Sequence, residues 1–406
     1  MRSRYGESIW RRLLPGRPRP EASSRPERAL RPAGAEAALE DRKLLSLTVS
    51  TFEAPAVQLS GQGVTKGSDG NFWFTEPGKG KIGRMTPKGA VTEFPLPNGH
   101  SASNAITSGP DGNLWFTEGD RVGRMTTAGA VTEFTVAPGA HLTGITSGSD
   151  GNLWFMDTDH FKIGRMTTSG AVDEFPIPPA TTLKSQGSKN LFHDITSGPD
   201  GNVWYTAEIY DRKSGVGRGE IGRVTPEGKV TTYLLPKGPQ PKGLPSFASK
   251  TKLAGFLLAD AITSGPDGNV WFTEHQGFGI GAIGKITPSG QITQYKLPTT
   301  PLAAKQTDIA TDIISGPDGN LWFNLATNNF AVGPTPSAFV GRITPSGAIS
   351  VYPIPHAKDT QAALVAEGAE SMVSGPDGRV WFTGVSRRFD SSTGRVLGAI
   401  TPPAKP

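Results

Sequence analysis

One eleven-residue phrase, "SGPDGNLWFTE" at residues 108–118, is written seven times along this 406-residue chain. It stands also as "KGSDGNFWFTE" (66–76), "SGSDGNLWFMD" (147–157), "SGPDGNVWYTA" (197–207), "SGPDGNVWFTE" (264–274), "SGPDGNLWFNL" (315–325) and "SGPDGRVWFTG" (374–384). Seven of the eight Trp therefore mark one repeat position: Trp73, Trp115, Trp154, Trp204, Trp271, Trp322 and Trp381. Self-similarity at a fixed period means one supersecondary unit stacked on copies of itself.

A second phrase follows each of the first six, as in "KIGRMTPKGAVTEFPLP" (81–97) and "AIGKITPSGQITQYKLP" (282–298). Each unit thus reads as four short strands: "AIT" with its flanks, "NLWFTE", "KIGRMT" and "AVTEFPLP". Asp-Gly and Ser-Gly supply the positive φ values that tight hairpin turns need. Ile, Val, Thr, Phe and Trp suit a pleated, half-buried surface. Seven such units predict an all-β fold, a seven-bladed β-propeller of four-stranded blades. The repeated Trp then packs one blade on the next. The last unit ends "VLGAITPPAKP" with no fourth strand, while "LTVSTFEAPAV" (47–57) matches a fourth strand near the N-terminus. The N-terminal strand is expected to complete the last blade and close the ring, which removes a free edge.

Charge divides the chain into two regions. Residues 1–46 carry 11 Lys/Arg against 6 Asp/Glu, which accounts for the whole net charge of +5. Residues 47–406, the expected propeller domain, are balanced, so phosphate neutralisation gives them no reason to seek nucleic acid. Residues 1–46 read as a disordered basic tail rich in Arg, Pro and Ala. Within it "LEDRKLLS" (39–46) resembles the Leu-Glu-(Pro/Asp)-Arg-x-Leu-Leu signature near the N-terminus of large exported bacterial surface proteins. That resemblance implies an exported or cell-surface protein; if it is incidental, a cytoplasmic one. Cys is absent, which excludes thiolate metal sites and Cys nucleophiles. No apolar run is long enough for a membrane-spanning helix, and a monomer is expected.

Loop lengths point to one functional face. The "PDG" and "PSG"-type turns keep their length, while the connections from strand two to three and from strand four to the next strand one vary. Both variable connections emerge on the same side of an up-and-down blade. Insertions at 179–192, 237–259 and 326–338 are expected to wall an asymmetric pocket there, since variable loops on a rigid scaffold carry function. A small-molecule or peptide-like ligand is the partner expected on that face. Two positions before the Ile of strand one stand Gln62, Asn104, Thr143, His193, Asp260, Thr311 and Glu370. At the end of strand two stand Glu76, Glu118, Asp157, Ala207, Glu274, Leu325 and Gly384. A ring of Glu76, Glu118, Asp157 and Glu274 is suited to hold a hard cation by oxygen ligation, or to line a wet acidic channel. His193, one of six His, is suited to act as a general base or to satisfy local backbone groups. His275 opens a loop directly after Glu274.

The joined phrases "SGPDGNLWFTE…IGRMTPxGAVTEFPLP" resemble the streptogramin lyase family, the virginiamycin B lyases, over about residues 48–402. The resemblance implies a seven-bladed propeller that linearises cyclic type B streptogramin antibiotics, breaking the ester by elimination with the help of Mg2+. The family's phrases are Pro-His-Ala-Ile-Thr in one blade and Glu-Pro-His-Gly-Ile-Thr in the next, followed by a Glu at the end of strand two. His193 in "LFHDIT" matches the first His and Glu274 the strand-end Glu. Leu258 stands where the family has Glu, and Asp260 where it has the second His. The resemblance therefore assigns His193 as base, with Asp260 or ring carboxylates helping Glu274 to hold Mg2+. Two other readings stay open. One is a non-catalytic exported propeller that binds a peptide, glycan or protein on its insertion-rich face. The other is a gluconolactonase-like esterase with a pore Ca2+.

Overall fold

The structure, a computed structural model, describes residues 48–54, 63–76, 79–97, 105–178, 188–211, 216–236, 257–276, 280–298, 308–327, 338–354, 365–387 and 393–402. The basic tail, and most of the three insertions expected to wall a pocket, lie outside the described residues.

Alternation along the second strand of each unit decides how the units pack. Successive side chains of a strand point to opposite faces of its sheet. In Phe72–Glu76, Phe72 and Phe74 therefore face one way and join Trp381 of the last unit in one apolar cluster. Trp73 faces the other way and joins Leu114 and Phe116 of the next unit. Repeated seven times, this gives seven antiparallel sheets, each covered on both faces by its neighbours. All seven second-strand Trp are fully buried. Trading such a residue for Ala costs about 3–5 kcal/mol in a well-packed core.

The ring closes as the sequence requires. Thr48–Ala54 pairs antiparallel with Thr393–Thr401 in the register Thr48↔Thr401 to Ala54↔Arg395, forming the outer strand of blade seven. Every blade thus has four strands, and the inner strand of blade six is split into Asp308–Ile309 and Ile313–Ser315. At the break, the Asn324 side-chain oxygen accepts the backbone N–H groups of Thr311 and Asp312 at 3.0 and 2.7 Å. Asn324 stands where the other blades have Thr or Met, so the substitution supplies what the broken ladder loses.

The repeated phrase is also a hydrogen-bond unit. In each copy the Asp of "DG" accepts the indole Nε1–H of the Trp four residues on, at 2.9–3.1 Å. The same carboxylate accepts the backbone N–H two residues on, which fixes the turn. Neighbouring blades are latched in two further ways. The Ser hydroxyls at 108, 147, 264, 315 and 374 donate to inner-strand carbonyls of the preceding blade. Third-strand Arg84, Arg124, Arg165 and Arg223 donate to carbonyls in the next blade's turn, at Thr127, Thr168, Pro226 and Pro288. That turn fits closely: at Gly129, with φ +93°, a Cβ would stand 2.4 Å from the Phe94 ring of the preceding blade.

Blade seven explains the exception to the Arg latch. Its outer strand comes from the N-terminus, so it has no turn between strands three and four. Arg342 of blade six has no such turn to reach and bonds Asp318 in its own blade at 2.9 Å. Blade seven itself carries Ala399 in the Arg register, opposite Trp381. There Arg379, in the place of the usual Asn, sits 4.7 Å over the Trp381 ring and bonds Asp377.

The expected loops are shorter than the sequence indicates, because strands run into them. Residues expected as the loop 208–219 continue the hairpin Val203–Asp211 and Val216–Val224. Residues 275–281 likewise extend the hairpin Val270–Gln276 and Ile280–Ile286. No helix among the described residues is long and apolar enough to cross a membrane.

Candidate functional site

The extended strands of blades four and five bring four titratable side chains to one place on the open face. His193 stands on the inner strand of blade four (Ser188–Ser197), directly at a register shift between Phe192 and Asp194. Asp260 stands on the inner strand of blade five (Leu257–Ser264), inside a matching shift between Ala259 and Ile262. A β-bulge re-aims the side chain it carries. His193 Nδ1 lies 3.9 Å from Asp260 Oδ1, with the two side chains 27% and 23% exposed. His275 belongs to the second strand of blade five, paired with Leu258, and its Nε2 lies 3.2 Å from Asp260 Oδ2. Glu208 is on the blade-four strand whose Trp204 packs toward blade five and whose Thr206 hydroxyl donates to the Asp260 carbonyl. Alternation puts Glu208 on that same face, and its carboxyl feels both His275 and Asp260.

The electrostatics follow from half-burial. Burial holds the His193 imidazole below its ordinary titration range; Asp260 opposes this and His275 adds to it. Burial raises the Glu208 carboxyl, with His275 pulling it down and Asp260 pushing it up. His193 Nε2 has no hydrogen-bond partner among the described residues. A neutral imidazole with Nδ1–H toward Asp260 leaves the Nε2 lone pair free to accept a proton.

The four carboxylates expected to ring the mouth are elsewhere. Glu76, Glu118, Asp157 and Glu274 share the strand face of the Phe or Leu residues that pack on the preceding blade, so each is sunk into a seam. Their exposures are 0, 3, 0 and 0%. Glu76 pairs with Lys79 at 3.2 Å, and Asp157 Oδ2 accepts from His160 Nδ1 at 2.7 Å. Glu274 Oε2 accepts from Gln294 at 2.7 Å, while burial pushes its carboxyl up to about 7. Among the described residues no group of three or more His, Cys, Asp or Glu is placed to hold a metal ion. Mg2+ demands near-ideal octahedral oxygen coordination and keeps several waters. Glu274 Oε1 is a buried oxygen without a hydrogen-bond partner among the described residues, and Leu258 stands where the resemblance expects a Glu. Among the described residues the four ring carboxylates form no group that could hold Mg2+ or Ca2+. Of the remaining mouth positions, Gln62, Asn104 and the Glu370 side chain lie outside the described residues.

Sequence reasoning found His193 and Asp260 by register but missed Glu208 and the pairing of His275 with the inner strand. Both lie past the end of the repeated phrase, where no other copy offers an alignment. The available signal was that two of only six His fall at the open ends of adjacent blades.

The sequence profile described as the virginiamycin B lyase family matches residues 41–253 and 259–388. The chain belongs to the virginiamycin B lyase family. The match breaks at 254–258, which takes in Leu257 and Leu258, the first two residues of the strand that carries Asp260. A streptogramin B lyase structure is similar to the chain at TM-score 0.60 and 26% identity, covering 86% of this chain and 97% of that one. Virginiamycin B lyase from Staphylococcus aureus gives TM-score 0.61 and 27% identity over 88% of this chain and 100% of that one. A catalytically inactive variant of the staphylococcal enzyme, solved with quinupristin, gives TM-score 0.60 and 27% identity over the same shares, 88% and 100%. No curated protein sequence matches the chain.

Proposed function

We propose that this family member is a carbon–oxygen lyase that opens a cyclic depsipeptide of the streptogramin B type at its ester, using the mouth between blades four and five. The observation that carries the reading is the His193–Asp260 pair across that seam. His193 takes the proton α to the carbonyl. The C–H electrons form the new C=C bond, the β C–O bond breaks, and its electrons leave with the ester carboxylate. Asp260 faces the imidazolium that forms and stabilises it, at a separation that shortens when ligand closes the site.

The test is incubation with a type B streptogramin followed by chromatography and mass measurement. Elimination gives a linear isomer of unchanged mass, whereas an esterase adds one water. An isomeric linear product that disappears with His193→Ala supports the lyase. A hydrated product identifies an esterase, and no product from the wild-type chain ends the enzymatic reading.

A second reading, a non-catalytic exported propeller that binds a peptide, glycan or protein, is favoured by Leu258 and Asp260 in place of the family's Glu and His. Binding of quinupristin that persists in His193→Ala and Glu274→Gln, without turnover by the wild type, selects it. Export itself rests on "LEDRKLLS" and is checked by cell fractionation with and without residues 39–46.

A further inference from the structure

The Asp260 carboxylate has two imidazole neighbours, one for each oxygen. Oδ1 faces His193 Nδ1 at 3.9 Å and Oδ2 faces His275 Nε2 at 3.2 Å. The shorter contact is within reach of a charge-assisted hydrogen bond in which His275 Nε2–H donates. The family phrase puts a His on the inner strand of this blade. Here the inner strand carries Asp260, and a His stands on the adjoining second strand, at a residue paired with Leu258. Both altered family positions, 258 and 260, therefore adjoin His275.

We propose that His275 is a positioning residue of this site: it clamps Asp260 Oδ2, so that Oδ1 is held toward the His193 imidazole. The inference rests on the lyase reading for its chemistry, but the clamp itself needs no substrate. The imidazole moved from the inner to the second strand acts through the carboxylate that took its place. Asp260 alone would be free to turn into water, because side-chain rotation about χ1 and χ2 costs little at a half-exposed site.

The other charged groups nearby are already engaged. Asp194, next to His193, accepts the backbone N–H groups of Ile195 and Ile262 at 2.8 and 2.9 Å. Glu274, next to His275, points into the seam and bonds Gln294. Besides burial, the groups that act on His193 are Asp260 and His275.

The experiment is NMR titration of the imidazoles in the full chain, where only six His need assignment. Relative to wild type, the His193 midpoint falls in Asp260→Asn by roughly half a pH unit or more, and it falls also in His275→Gln if the clamp holds Asp260, since losing the His275 charge alone would raise it. The two shifts are non-additive in the double variant, since both act through one carboxylate. If His275→Gln does not fold, His275→Asn is read in its place, with the same fall expected. With a type B streptogramin, His275→Gln lowers kcat about tenfold or more at unchanged KM and moves the acidic limb of the kcat/KM profile. A His193 midpoint that stays put or rises in His275→Gln overturns the clamp, whatever the activity. Turnover by His275→Gln with wild-type kcat and pH profile also overturns it. Shifted midpoints in a wild-type chain that opens no streptogramin sustain the clamp and end the substrate assignment instead.

Discussion

In blade one the acid at the end of the second strand, Glu76, is in register with Lys81, whose ammonium reaches Glu93 on the outer strand. In blade five the same three positions hold Glu274, Ala282 and Gln294. Blades two and three repeat the first arrangement, with Arg121 on Glu133 and Lys162 on Glu174. Blades four and six do not: Ala207 faces Glu220, and Leu325 faces Phe339. One half of the ring therefore places opposite charges at the open end of each seam. The other half buries a lone acid or removes the charge altogether. The difference shows in the protons: burial pushes both Glu220 and Glu274 up to about 7. The same half grows taller. Second strands run five residues in blades one to three, and nine, seven, seven and eight residues in blades four to seven. The titratable cluster of His193, Asp260, His275 and Glu208 stands on that added height.

The largest expected effect ignores the comparison, since both halves share one closure. A chain beginning at residue 58 loses Thr48–Ala54, exposing the Thr393–Thr401 edge and the seam between blades seven and one. It is expected to lose its cooperative thermal transition, while a chain beginning at residue 44 melts like the full chain. Equal melting of the two would mean that the strand is dispensable. The next effect should fall on one half only. His193→Ala is expected to lower turnover of a type B streptogramin by about 10²–10⁴-fold, the usual worth of a general base, with little change in Tm. Thr143→Ala, at the same register in blade three, should leave turnover within about twofold. If both lose activity alike, the mouth is symmetric and the comparison fails.

How much of this was legible in the sequence follows the same division. Blades one to three are read almost residue by residue, because Trp73, Trp115 and Trp154 solve one packing problem in one way. The ring closure was legible for the same reason: the missing strand of the last repeat could be matched to residues 47–57. The seam acids were misplaced because a repeated Glu says nothing about which strand face it occupies until the register is known. Alternation from Phe72 and Phe74 to Glu76, or from Val270 and Phe272 to Glu274, is what puts them between blades. His275 and Glu208 were hidden because strand extensions carry no copies of themselves.

A pH series tests the charge difference directly. The Glu274 carboxyl sits at about 7 in the folded chain, above the ordinary carboxylate value of 4.5. As pH rises from about 4.5 to 7, the unfolded state ionises first and the folded state loses stability relative to it. Above 7 the loss is complete. Glu274→Gln removes it and is expected to stabilise the fold by about 2–3 kcal/mol at pH 8, the gain vanishing below about pH 4.5. Glu76→Gln should gain less, because Lys79 at 3.2 Å offsets the burial that raises Glu76. Denaturant unfolding of both variants at pH 4.5 and 8 gives the four numbers. A Glu76→Gln gain equal to that of Glu274→Gln would mean that the neighbouring base makes no difference.

The smallest effect belongs to the seam where the two ends of the ring meet. Val64, Phe72, Phe74 and Met85 of blade one and Val373, Trp381 and Phe382 of blade seven line an apolar void of about 10 Å³. In blade seven the register position of the third-strand Arg latch is Ala399, so that latch does not cross this seam. A void of that size has room for about one methyl group, and its lining forgoes dispersion contacts that a filled seam would make. Val64→Ile adds one methylene toward it and is expected to stabilise the ring by roughly 0.5–1 kcal/mol. The equivalent inner-strand position in blade two, Ile106, already carries the larger residue in a filled seam with Trp73, Leu114 and Phe116, so enlarging it further with Ile106→Phe should be destabilising. Opposite signs for the two substitutions in one urea titration would locate the slack of the ring at its closure; matching signs would show that the seven seams are packed alike.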